Sequence, residues 1–127
     1  YLSALTLMKG GGLFRAGIAV APVTDWHLYD TVYTERYMRT PQDNAEGYRE
    51  SAPLMHAAGL ESDFLLVHGT GDDNVHFQNT VMLADRLQAE NKQFEFMLYP
   101  NRTHSISGGN TQLHLYTLLT RWVKEHL

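Results

Sequence analysis

Three short apolar runs, each closed by glycine or proline and each followed by a segment of helical periodicity, constrain this chain more than any other feature. They are LFRAGIAVAP at residues 13–22, DFLLVH at residues 63–68 and FEFMLYP at residues 94–100. Runs that are short and continuously apolar read as strands buried on both faces. Residues 1–9 read as a helix that Gly10-Gly11-Gly12 terminates, since glycine takes the left-handed conformation a helix end needs. A second helix is expected from Thr24 or Asp25, either a good N-cap, to about residue 38. A short helix is expected at 51–58, a longer one at 77–91 with Phe77, Val81, Ala84 and Leu87 on one face, and a closing amphipathic helix at 111–127. The polar stretch TPQDNAEGYRESAP is expected to be a surface excursion. Strands that alternate with helices predict an α/β fold, with parallel strands joined by right-handed crossovers and helices on both faces.

A length of 127 residues, 43% of them apolar and 19% charged, suits one domain with one core. The net charge of −4 is scattered, with no basic stripe to neutralise phosphates, which argues against a nucleic-acid partner. No apolar run is long enough for a transmembrane helix, and no basic segment with an apolar core opens the chain as a signal peptide would. The absence of cysteine excludes disulfides, thiolate metal sites and a cysteine nucleophile. Leu2, Leu5 and Met8 are already at helical spacing in YLSALTLMKGG, so the chain is expected to be a piece of a longer protein.

In a parallel sheet, ligands and catalytic groups collect beyond the carboxyl ends of the strands. VHGTGDDNVHFQNT, residues 67–80, leaves the second strand and at once places Asp72, Asp73, Asn74 and His76 in a glycine-containing turn. His104 follows the third strand in NRTHSISGGN, 32 positions after Asp72. Adjacent parallel strands would bring both loops to one edge of the sheet. A buried carboxylate there can fix an imidazole tautomer, so that the other ring nitrogen accepts a proton from a hydroxyl. An acid and then a histidine on successive strand ends form the second half of the chain order Ser, Asp, His found in α/β-hydrolases. The first half, a serine in a G-x-S-x-G elbow, does not occur among the 127 residues. None of Ser3, Ser51, Ser62, Ser105 and Ser107 is placed as a nucleophile, and that residue is expected upstream.

Plainer readings stand beside these. Asp72 and Asp73 also suit a turn and the favourable field of a helix N-terminus, and His104 also suits a solvated loop. His68 and His76 read as structural. Trp26, Tyr29, Tyr33 and Tyr37 recur at helical spacing, and such stripes are usually core, although three tyrosines in one stripe also suit a half-wet pocket wall. Asp72, Asp73, His76 and His104 lack the H-E-x-x-H helix or similar arrangement that metal binding uses, and no metal or organic cofactor is expected.

GIAVAPVTDWHLYDTVYTERYM, LLVHGTGDDNVHFQNT and PNRTHSISGGNTQLHLYT together resemble the C-terminal end of the hydrolase domain of dipeptidyl peptidase IV and its bacterial relatives, in the prolyl oligopeptidase group of serine peptidases. The resemblance covers nearly the whole chain. It implies that residues 1–127 are the C-terminal portion of an α/β-hydrolase fold, whose nucleophile elbow and β-propeller lie upstream. The family's elbow reads Gly-Trp-Ser-Tyr-Gly-Gly-Tyr, and Tyr1 would be its last residue. Asp72 would be the triad acid, His104 the base, and Asn74 a substrate contact. Val23, Trp26, Tyr29, Tyr33 and Val75 would form a ring-lined pocket, suited to proline, for the residue before the scissile bond. The substrate implied is a peptide with proline or alanine next to its amino terminus, released as a dipeptide by a parent enzyme that is periplasmic, secreted or membrane-anchored. A homo-oligomer is also expected, because a truncated sheet leaves an open edge. The chain departs from the family in carrying Thr103-His104-Ser105 where an acidic residue and then His-Gly are frequent. Two other readings remain: a non-catalytic structural or dimerisation module, and an esterase of the same fold.

Overall fold

In a computed structural model describing residues 1–127, three strands form one parallel sheet in the order β1-β2-β3. They are β1 (Ala16–Val20), β2 (Asp63–Gly69) and β3 (Glu95–Tyr99). Ala16 pairs with Asp63 at one end of the first ladder, and Gly69 pairs with Tyr99 at the end of the second. The helices are α1 (Leu2–Lys9), α2 (Thr31–Met38), α3 (Ala45–Ser51), α4 (Gln78–Ala89) and α5 (Thr111–His126), with 3-10 turns at Trp26–Leu28 and Pro53–Gly59.

The central strand explains the architecture. Alternate side chains of β2 point to opposite faces, and both faces are apolar, so both must be covered. Phe64 and Leu66 pack with Ala4, Leu7 and Met8 of α1 and with Leu83 and Leu87 of α4. Leu65 and Val67 pack on the other face with Tyr99, Ile106 and with Leu115, Leu118 and Trp122 of α5. The expected α/β fold, with helices on both faces of a parallel sheet, is the one observed.

Several boundaries differ from expectation for local reasons. The first strand begins at Ala16 rather than residue 13, because pairing with β2 starts there and Leu13 and Phe14 are left exposed. It ends at Val20, where Ala21 takes a φ of 47° that a strand cannot accommodate. The single helix expected from Thr24 or Asp25 to residue 38 is instead two elements. Asp25 accepts from the His27 backbone N–H and starts a 3-10 turn, Tyr29 is extended, and Asp30 accepts from the Tyr33 N–H and starts α2. Two carboxylate caps five residues apart thus cut a pattern that looked continuous. The expected surface excursion contains α3, capped by Asn44 through the Gly47 N–H and anchored by buried Tyr48. The short helix expected at 51–58 is the 3-10 turn at Pro53–Gly59.

Candidate active site

β2 and β3 end side by side, and the loops that follow them are stitched together by the backbone. The Thr70 N–H donates to the Tyr99 carbonyl (3.0 Å), the Gly71 N–H to the Arg102 carbonyl (3.1 Å), and the Asn101 N–H to the Thr70 hydroxyl (2.9 Å). This approach is possible only because position 69 lacks a side chain: a Cβ on Gly69 would lie 2.2 Å from the Arg102 carbonyl oxygen. The loop after β3 is pinned from below by Ile106, which is buried under α5 at a φ of 45°. A β-branched residue at positive φ is strained, and such strain persists where packing over-determines the backbone.

These constraints bring Asp72 and His104 together, with His104 Nδ1 2.8 Å from Asp72 Oδ2. The Asp72 side chain is fully buried, whereas that of His104 is 43% exposed. The imidazole therefore turns one nitrogen to the carboxylate and offers its other edge outward. Asp72 Oδ1 accepts the backbone N–H groups of Asn74 and Val75, both at 3.0 Å. Its Oδ2 is also 3.1 Å from Nε2 of His68, a residue with no exposed surface. Burial alone would raise the pKa of Asp72. The hydrogen bond from His104 and that from the backbone N–H of Asn74 outweigh it and hold the carboxyl below its ordinary range. Burial lowers the pKa of His68, only partly opposed by the Val75 carbonyl and Asp72. Such a pair, a fixed anion and a half-exposed imidazole, can take a proton from a hydroxyl and hold the resulting imidazolium.

The aromatic residues form a connected group beside it. Trp26 stacks on Tyr33 at 6.0 Å, Tyr29 meets Tyr33 edge-on at 5.4 Å, and Tyr33 continues to Tyr37 at 5.0 Å. The Tyr29 hydroxyl donates to Asn74 Oδ1 at 2.7 Å, joining this group to the loop of Asp72. Val23 and Val75 are buried. Of the five residues expected in the pocket, Tyr29 alone lines the open depression here, together with Asn74, the expected substrate contact, and His27, Asp30, His76 and Gln78. Asp73 is exposed. No group of three histidine or acidic side chains is placed to hold a metal ion. Sequence reasoning treated His68 as a strand terminus only. The signal that would have marked it is its spacing of four from Asp72 on the same strand exit, with a hydroxyl residue, Thr80, in the following helix.

The model of the prolyl oligopeptidase family matches residues 1–127. The chain belongs to the prolyl oligopeptidase family. Among its relatives in the family, it is 45% identical to prolyl endopeptidase FAP of Mus musculus and 41% identical to dipeptidyl peptidase 4 of Felis catus, in each case over 98% of this chain and 17% of the relative. The chain thus spans about a sixth of the length of these curated relatives, consistent with 17% coverage. The crystal structure of Porphyromonas gingivalis dipeptidyl peptidase 4 superposes with a TM-score of 0.96 and 48% identity over 98% of this chain and 18% of that one. The three parallel strands and their helices match the α/β-hydrolase portion of that family member.

Proposed function

We propose that this chain supplies the acid, Asp72, and the base, His104, of a Ser-Asp-His triad in a serine-type dipeptidyl peptidase. The observation that carries the reading is the 2.8 Å contact between a fully buried carboxylate and a half-exposed imidazole at the ends of adjacent strands. His104 Nε2 takes the proton of a serine hydroxyl as that oxygen attacks the carbonyl carbon, then gives it to the leaving amine, and water repeats the cycle on the acyl-enzyme. Asp72 holds the ring in the tautomer this requires. The serine comes from polypeptide preceding Tyr1, and residues 1–127 alone are inactive. The names of the relatives, prolyl endopeptidase and dipeptidyl peptidase, support a peptide substrate and a cut after proline; alanine is the other residue the resemblance implies at that position. Trp26, Tyr29, Tyr33, Val23 and Val75 form the pocket for that ring, and Asn74, held by Tyr29, contacts the substrate backbone. Self-association uses the exposed apolar side chains Phe96 and Leu98 of edge strand β3; light scattering that gives a monomer at every concentration rejects it.

A serine-directed fluorophosphonate probe and a Gly-Pro chromogenic amide test the assignment. A chain extended upstream to include the serine is labelled and cleaves the amide, and the 127-residue chain does neither. Labelling of the short chain, or preference of the extended one for a simple ester, overturns the reading.

A further inference from the structure

The interior behind Asp72 contains a second imidazole that the proposed reaction does not use. His68 is completely buried at the end of β2, and every polar atom of its ring is engaged. Nε2 lies 2.8 Å from the Val75 carbonyl and 3.1 Å from Asp72 Oδ2. A carbonyl oxygen only accepts, so Nε2 carries the proton and donates to both oxygens. Nδ1 lies 2.7 Å from the Thr80 hydroxyl, which donates to it in the neutral ring that burial favours.

We infer that His68 is a positioning residue, which clamps the same Asp72 Oδ2 that binds His104 and so aims the acid's charge at the base alone. The inference rests on the triad reading given above. Without His68, Oδ2 would keep only the bond from His104 Nδ1, and the carboxyl could swing about its two backbone anchors on Oδ1. With it, both oxygens are held. A neutral ring is essential, because a second cation against Oδ2 would compete with the imidazolium that forms on His104. Burial supplies that neutrality. An aliphatic side chain would fill the same space without the cost of burying polar atoms, so mere packing does not account for an imidazole here. Its second acceptor, the Val75 carbonyl, belongs to the segment whose N–H groups bind Oδ1. His68 therefore fixes the acid directly and also through the loop that carries it.

The test compares two amides of equal polarity in the enzyme that carries the serine, with the Gly-Pro chromogenic amide as substrate. H68Q can place its Nε2 donor near the position of the histidine Nε2, whereas H68N is too short to reach it. H68N lowers kcat on the order of 10- to 100-fold with KM changed by less than about threefold, as expected for misplacement of a catalytic group. H68Q recovers at least about tenfold of that loss. Equal kcat in the two variants, or a loss confined to KM, overturns the inference. Asp72→Asn is assayed alongside. If it too leaves kcat intact, the triad reading itself fails; if it alone abolishes turnover, only the role of His68 fails. Nitrogen-15 NMR of the unsubstituted protein is independent of how the variants fold. A neutral His68 ring protonated at Nε2 supports the inference, and an Nδ1-protonated or cationic ring at neutral pH overturns it.

Discussion

Asp72→Asn perturbs the proposed mechanism at its most constrained point. The amide can keep its oxygen at the Oδ1 position, where it still accepts the Asn74 and Val75 N–H groups. Its nitrogen then replaces Oδ2 and brings two hydrogens toward two groups that are already donors, His68 Nε2 and His104 Nδ1. Reversing the amide is worse, since it turns the NH2 on two fixed backbone N–H groups. His68 cannot adapt, because the Val75 carbonyl requires its Nε2–H. His104 can, by moving its proton to Nε2. That is the tautomer unable to accept a proton from serine. Turnover in the serine-containing enzyme is therefore expected to fall on the order of 10⁴-fold, as in triads where the acid is made an amide, which is about 5 kcal/mol of barrier. The donor left facing His68 in a fully buried site adds a stability loss of about 1–3 kcal/mol. Steady-state kinetics with a Gly-Pro chromogenic amide read the first effect and urea denaturation the second. A loss of turnover below about tenfold would refute the tautomer argument, and undiminished stability would refute the account of the His68 contact.

Two further outcomes are expected. Acid destabilises the fold through two groups with the same sign. His68 titrates below its unfolded value of 6.5, so its unfolded form binds more protons and stability falls as pH drops below that value. The contribution of Asp72 is likewise present above its unfolded value of 3.8 and is lost as pH falls through its lower folded value. Denaturation midpoints followed from neutral pH downward should decrease throughout; a rise on mild acidification contradicts the shift of His68, and a rise below pH 3.8 contradicts that of Asp72. Gly69→Ala forces the loops of Asp72 and His104 apart, because its Cβ meets backbone that cannot turn aside. A displacement of about 1 Å costs on the order of 10²-fold in turnover, and an enzyme within about tenfold of the parent shows that the close approach is dispensable.

What could be read in the sequence was governed by range. The strands at Ala16–Val20, Asp63–Gly69 and Glu95–Tyr99 were legible because each is a short apolar run with a clear stop, and their parallel order followed from the helices between them. The juxtaposition of Asp72 and His104 followed from that order, since neighbouring parallel strands end together. The segment at 24–38 was misread because spacing carries no information on which carboxylate will capture an N–H. Asp25 and Asp30 each did, so the stripe from Trp26 to Tyr37 is an assembly across two elements rather than one helical face. Helix α3 was missed because its polar residues hide the single buried anchor, Tyr48, and the Asn44 cap that starts it. His68 was seen but undervalued. Its role depends on the carbonyl of Val75, a backbone contact set by the path of the turn and not by residue type.

The saturation of Asp72 limits how far a proton can travel. A carboxylate offers about four lone-pair sites, and here the N–H groups of Asn74, Val75, His68 and His104 fill them. No lone pair remains for a water, and an anion held by four donors is too weak a base to take the hydrogen of the imidazolium across the bond they share. Any hydron drawn from a hydroxyl stops on the imidazole, so in mixtures of light and heavy water the rate should vary in a straight line with deuterium content, the mark of a single nucleus in flight.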